Sequence, residues 1–131
     1  MQHTLADKYL AIQEGVLFHL YQCYEILTQL NGDPRRIRLS GGILHSAGWT
    51  QMCADIFGKE METDMSEHAS MMGAVAVAEE ITGMIRSLEE YRTETKEIIR
   101  PDMEKREKYM QRYSRYLECY QGCESGETVS P

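Results

Sequence analysis

Gly41 and Gly42 stand side by side, and His45 and Ser46 follow them within four residues. Ahead of this group, Ile37 to Ser40 alternates apolar and basic residues as a short strand does. Behind it, Ser46 is placed to cap an amphipathic helix running from Ala47 to Phe57, and Gly58 is placed to stop that helix. A strand, a glycine turn and a helix start in that order gather backbone N–H groups at one point. Such a point can hold a phosphate or a nucleotide. A side chain at Gly42 would block close approach of backbone to ligand. His45 adds a ring to the same loop.

Other residues able to do chemistry read more plainly as structure. Asp55, Asp64 and Asp102 are the candidates for a base. Asp55 is expected on the outer part of its helix, and Asp64 and Asp102 at turns or caps. His19 lies beside an apolar helical stripe and is expected to be buried or half-buried, and His68 is expected near a helix start. Of the four cysteines, Cys23 and Cys53 fall on apolar helical faces and are expected as buried thiols. Cys119 and Cys123 are one helical turn apart, without the second pair or nearby His that a zinc site needs. No metal ligands are assigned, and the cysteines are read as reduced.

The composition narrows the partners. The chain has 131 residues, 42% hydrophobic and 27% charged, with a formal net charge of −7. One domain fits that length. Nucleic acid and anionic membrane surfaces demand concentrated positive charge and are not expected as partners. A nucleotide remains possible, because local N–H groups can hold a small anion whatever the net charge. No apolar run approaches the roughly 20 residues that span a bilayer, and Met1-Gln2-His3-Thr4 has no signal-peptide pattern. A cytoplasmic protein is expected.

The elements that must position the glycine loop follow from periodicity. Leu5, Tyr9, Ile12, Val16, Leu20, Cys23, Leu27 and Leu30, widened by Leu17 and Tyr24, predict an inward stripe on a first helix ending at Asn31-Gly32. Gly15 inside it is explained either by close approach of another backbone or by simple tolerance. In the helix after the loop, Trp49, Met52, Cys53, Ile56 and Phe57 should face inward. Lys59 to Thr63 reads as a second strand with Met61 inward. Ser66 or Glu67 should open a third helix, from Ala69 to about Thr82, whose small residues Gly73, Ala74, Ala76 and Ala78 permit tight packing. Ser87 to Ile99 reads as a helical turn and an extended segment at Glu97-Ile98-Ile99. Glu89 to Lys108 should be a solvated charged face. Pro101-Asp102 introduces a last helix, Met103 to about Tyr120, in which Tyr109, Tyr113, Tyr116 and Tyr120 form a packing stripe. Residues 122–131 are expected as a disordered tail. Two short strands cannot form a self-sufficient sheet, so other strands or a partner must complete it.

With those elements in place, Arg38 to Gly58, followed by Glu67-His68-Ala69-Ser70-Met71-Met72-Gly73-Ala74, resembles the C-terminal ATP-binding domain of FGGY carbohydrate kinases. The phrasing is most like the gluconate kinase and xylulose kinase branches. His3-Thr4 and Ile12-Gln13-Glu14-Gly15-Val16-Leu17-Phe18 resemble the family's helix with an Ala-Val-x-Glu-Gly-Val-x-Phe pattern. Pro101-Asp102 and the tyrosine-rich helix resemble its closing segment. The similarity spans about residues 3–120.

The resemblance implies an α/β fold: a partial ribonuclease H-like, actin-like C-terminal domain over residues 1–121, helix-rich with a small incomplete sheet. It implies transfer of the γ-phosphoryl group of ATP, with Mg²⁺, to a sugar or sugar-acid hydroxyl. Gly41 and Gly42 would then approach the nucleotide near the α-phosphate and ribose, with Ser46 near adenine and His45 in the same loop. Ile43, His45 and Ala47-Gly48 depart from the family's usual residues. The family's catalytic Asp and most sugar ligands lie on an N-terminal domain without counterpart here, so no catalytic residue is assigned and the chain is expected to be inactive alone. The alternative is a stand-alone helical module, derived from the kinase fold, that binds a protein partner or forms a homo-oligomer through uncovered apolar surface.

Overall fold

The first helix, α1 (Leu5–Asn31), starts where Thr4 can satisfy its free N–H groups. The Thr4 hydroxyl accepts from the Asp7 N–H at 3.2 Å, and the Asp7 carboxylate accepts from the Thr4 N–H at 2.9 Å, a reciprocal capping box. In this computed structural model residues 3–64, 68–91 and 95–124 are described. After α1 come β1 (Ile37–Leu39), a 3-10 turn (Gly42–His45), α2 (Ala47–Phe57), β2 (Met61–Asp64), α3 (Ala69–Ile81), a second 3-10 turn (Leu88–Glu90), β3 (Thr95–Ile99) and α4 (Met103–Glu124).

The strands form one sheet in the order β1-β2-β3. β1 and β2 run parallel, with Ile37 opposite Met61 and Arg38 opposite Glu62. The Arg38 guanidinium lies 3.5 Å from the Glu62 carboxylate, which explains why a basic residue alternates with apolar ones in β1. β3 returns antiparallel to β2, with Ile99 opposite Met61 and Glu97 opposite Thr63. Met61, Thr63 and Ile99 are all buried, so these alternate positions face the helices. The sheet thus has three strands, because the extended segment before Pro101 pairs fully. Asp64 is the last residue of β2.

The core gathers around α2. Met52, Cys53, Ala54, Ile56 and Phe57 are buried with Leu17, Phe18 and Tyr21 of α1, Met61, Ile99, and Tyr113 of α4. Trp49 packs against this cluster half-buried. The tyrosines of α4 do pack: the Tyr21 ring meets Tyr113 edge-on at 5.1 Å and Phe57 edge-on at 5.3 Å. Tyr113 also donates to Glu25 at 2.7 Å. Arg106, expected on the solvated charged face, instead tucks under α2 and donates to the Ile56 carbonyl and to Tyr21 Oη. Gly58 ends α2 at φ +63°, and a Cβ there would lie 2.7 Å from the Arg106 guanidinium.

Several expectations are corrected. Of the expected stripe on α1, Leu17 is buried and Tyr24 packs half-buried against the core, joined by Phe18 and Tyr21, whereas Leu5, Tyr9, Ile12, Val16, Leu20, Leu27 and Leu30 are exposed. Periodicity locates an apolar face but not the neighbour that covers it, and α2 and α4 lie on the other side. Cys23 belongs to the uncovered stripe and is exposed. Cys53 is buried as expected, and burial pushes its thiol up to about 12. His19 is exposed, with its ring 6.3 Å from that of Tyr120. No atom lies within 4 Å of a Cβ built on Gly15, so no close backbone approach explains it. In α3, Gly73, Ala74 and Ala78 are exposed and only Ala76 is buried, so the small side is not packed. α4 continues to Glu124, which makes residues 122–124 helical rather than tail. The expected opening of α3 at Ser66 or Glu67, and residues 125–131 of the expected tail, lie outside the described residues.

Candidate functional site

β1 leads directly into the glycine pair. Gly41 takes φ +85°, a left-handed conformation that suits glycine. It redirects the chain into the 3-10 turn that begins at Gly42. Ser46 then caps α2, its hydroxyl accepting from the Trp49 N–H at 3.3 Å. A Cβ built on Gly42 meets no atom within 4 Å, so the space in front of that residue is open.

Beside this loop lies a cleft of about 590 Å³, a size suited to a small ligand. One wall is Gly41, Leu44 and His45 with Ala47, Thr50 and Gln51 of α2. The other is Thr63 with residues 96–100 of β3 and the turn after it. Of the four residues singled out from sequence, the structure brings Gly41 and His45 to the cleft. Gly42 and Ser46 belong to the same loop but are not among the lining residues.

The hydroxyls in the cleft are already committed. Thr50 donates to the Ala47 carbonyl at 3.0 Å and Thr63 to the Glu97 carbonyl at 3.3 Å. Arg100 pairs with Glu60 at 3.2 Å, and both side chains are well exposed. The Gln51 amide nitrogen donates to Asp55 Oδ1 and to the Arg100 carbonyl, each at 2.8 Å. Asp55 Oδ1 also accepts from the Asp102 N–H at 2.8 Å.

These bonds overturn the reading of Asp55 as solvated. It is 1% exposed, and its Oδ1 accepts from amide donors that tie α2 to the turn before α4. Asp102 is the cap that its sequence position promised. Its Oδ1 accepts from the Glu104 N–H at 3.1 Å and the Lys105 N–H at 3.3 Å. The bond from Lys105 is the main reason its carboxyl is held below its ordinary value. Among the described residues, no group of three or more His, Cys, Asp or Glu is arranged to hold a metal ion. No helix among them is long and apolar enough to cross a membrane.

Sequence reasoning missed Gln51, Thr63, Lys96 and Arg100 as cleft residues. Gln51 and Asp55 carried a usable signal, since a Gln and an Asp one helical turn apart pair on one face. Thr63 and the β3 residues carried none, because only strand pairing brings them to α2.

Comparison with known proteins settles the lineage. The profile described as the FGGY family of carbohydrate kinases, C-terminal domain, matches residues 1–79. The chain belongs to the FGGY family. An FGGY relative, the L-xylulose/3-keto-L-gulonate kinase of Escherichia coli K12, is 34% identical over 121 residues, covering 87% of this chain and 24% of that protein. The gluconokinase of Bacillus licheniformis is 36% identical over 90 residues, covering 68% of this chain and 18% of that protein. The crystal structure of ligand-bound xylulose kinase from Lactobacillus acidophilus superimposes with a TM-score of 0.82 at 24% identity, over 92% of this chain and 25% of that one. The fold is therefore the actin-like fold of FGGY kinases, represented by its C-terminal part. The chain spans about a quarter of the length of the E. coli relative.

Proposed function

We propose that this chain is the nucleotide-binding portion of an ATP-dependent carbohydrate kinase acting on a gluconate- or xylulose-like substrate, and that it does not transfer phosphate by itself. One observation carries the reading: the Gly41–Gly42 loop joins β1 to the capped start of α2 beside a cleft of about 590 Å³, in a chain that matches the family's C-terminal domain. In this reading Gly41 and Gly42 offer backbone to the nucleotide, Ser46 faces the base and His45 borders it. The open space before Gly42 supports close approach. ATP would bring the transferable γ-phosphoryl group. Mg²⁺ would travel on the phosphate oxygens, in keeping with the ion's preference for one or two carboxylates plus phosphates over an all-protein cage. Phosphoryl transfer also needs an oriented sugar hydroxyl and a base. Of the aspartates weighed as a base, Asp55 is tied into the core and Asp102 caps α4.

Trp49, near the start of α2, reports on the loop. Titration with Mg-ATP or Mg-ADP should change its fluorescence saturably, and Gly42→Asp should abolish the change. The substitution places its Cβ in open space, so it tests the ligand rather than the fold. No change in the wild type, with no heat by calorimetry, would overturn the nucleotide reading. Gluconate- or xylulose-dependent ADP release by the chain alone would overturn the proposed inactivity.

A second reading rests on α1. Leu5, Ile12, Leu27 and Leu30 are each more than half exposed, and an apolar face of that length commonly marks an interface. Self-association through it predicts a dimer in sedimentation velocity, indifferent to Mg-ATP and to Gly42→Asp.

A further inference from the structure

Helix α1 carries apolar residues on two faces, and the domain uses one of them. The helix runs for 27 residues, longer than the roughly 8–20 of most globular helices. Counted in sevens, Tyr9, Val16, Cys23 and Leu30 fall at position a, and Leu5, Ile12, His19 and Ile26 at position d. All eight are exposed. The residues that meet the core, Leu17, Phe18, Tyr21 and Tyr24, fall at b, c and f, on the opposite side of the helix. An a/d repeat of period 3.5 is the pattern of a coiled-coil seam, narrower than the stripe by which a helix joins a globular core. Here it holds without a break from Leu5 to Leu30.

The seam is complementary to itself when two copies run antiparallel. Leu5 then layers against Leu30 of the second copy, Tyr9 against Ile26, Ile12 against Cys23 and Val16 against His19. Each polar member meets an apolar one, and the helix dipoles oppose. A parallel pair would instead stack His19 on His19 and Cys23 on Cys23, with the dipoles aligned. Lys8 is the only charged residue at the flanking e and g positions. In the antiparallel pair it lies beside Gln29, so no like charges meet. The surface suffices: with Leu20 and Leu27 at e, the large apolar residues of this face leave on the order of 900 Å² open, against the ~800 Å² a side that a standard interface buries. We propose that this chain forms a two-fold symmetric dimer through α1, with the helices antiparallel in this register. The inference rests on the self-association reading given above and adds the orientation and the layers.

The test combines sedimentation velocity with disulfide trapping on the full chain. The wild type should sediment as a dimer. Val16→Glu sets carboxylates about the two-fold axis and should raise the dimer dissociation constant at least about 100-fold. Val75→Glu, at an exposed site on α3, should leave the dimer intact. For the orientation, Cys119 and Cys123, both exposed, are first replaced by Ser. Under mild oxidation this background should stay unlinked, and adding Ile12→Cys should give a linked dimer that Cys23→Ser abolishes. Linkage of the background through Cys23 alone would mean parallel helices; it overturns the inference and leaves self-association through α1 standing. Absence of linkage with Ile12→Cys overturns the register in the same way. A monomer at every concentration would leave the seam to another partner and overturn both, as would a dimer that Val16→Glu does not weaken. Should Val16→Glu fail to fold, the trapping result still decides.

Discussion

Helices α2 and α3 are of similar length and both rich in apolar residues, but their surroundings are opposite. In α2 every residue from Met52 to Phe57 is buried, including a carboxylate. In α3 only Ala76 is buried, while Met71, Val75, Val77 and Ile81 lie exposed. Their starts differ in the same sense. Ser46 caps α2 with its hydroxyl, whereas His68 makes no side-chain capping bond to α3. Composition thus supplied two helices of equal promise, and neighbours decided which became core. α2 has α1, α4 and the sheet around it. α3 has its contacts mainly with the 3-10 turn that follows it.

Truncation should expose that contrast most strongly. Ile56→Ala removes a side chain that is 0% exposed and should cost about 2–5 kcal/mol of unfolding free energy. Its counterpart Val75→Ala, at an exposed site on α3, should change stability by no more than about 0.5 kcal/mol. Urea unfolding of the two variants beside the wild type checks both figures. A large loss for Val75→Ala would mean that α3 is covered in solution.

A smaller effect is expected at the end of α2. Gly58→Ala forces a side chain into left-handed backbone and against the Arg106 guanidinium. The backbone term alone is worth about 1–2 kcal/mol, and thermal unfolding should show it as a lowered Tm. Restoration of Tm by adding Arg106→Ala would assign the loss to the clash; no restoration would assign it to the backbone.

The smallest effect is electrostatic and sharpens the contrast at the helix starts. The Asp102 carboxyl is held below its ordinary 3.8 chiefly by the Lys105 N–H. Its folded value is depressed, so its contribution is fully present above pH 3.8 and is lost as pH falls through the folded value. Asp102→Asn should flatten that part of the acid unfolding curve. Asp7, which caps α1, is depressed in the same direction, chiefly by the Thr4 hydroxyl, and should account for a residual slope.

The legible parts of the molecule were the local ones. The bounds of α2 followed from Ser46 and Gly58, and the start of α4 from Pro101-Asp102, because capping involves only residues within one turn. The glycine loop was legible for the same reason. The packed face of α1 was legible only at Leu17 and Tyr24, since Phe18 and Tyr21 are chosen by helices far along the chain. Asp55 was misread because its donors, apart from Gln51, come from the segment before α4. The far wall of the cleft was hidden in the same way: β3 reaches α2 only through its pairing with β2.

Arg106 gives the fold a sense of time. It bonds a carbonyl 50 residues behind it and a tyrosine 85 residues behind it, and so joins α1, α2 and α4 through one side chain. During synthesis the first two of these helices emerge well before the third. Until α4 arrives, the Ile56 carbonyl and Tyr21 hydroxyl lack this partner, and the aromatic cluster lacks Tyr113. These groups stay open until α4 is made, and in that interval the nascent chain offers more to proteases and chaperones than the folded one does.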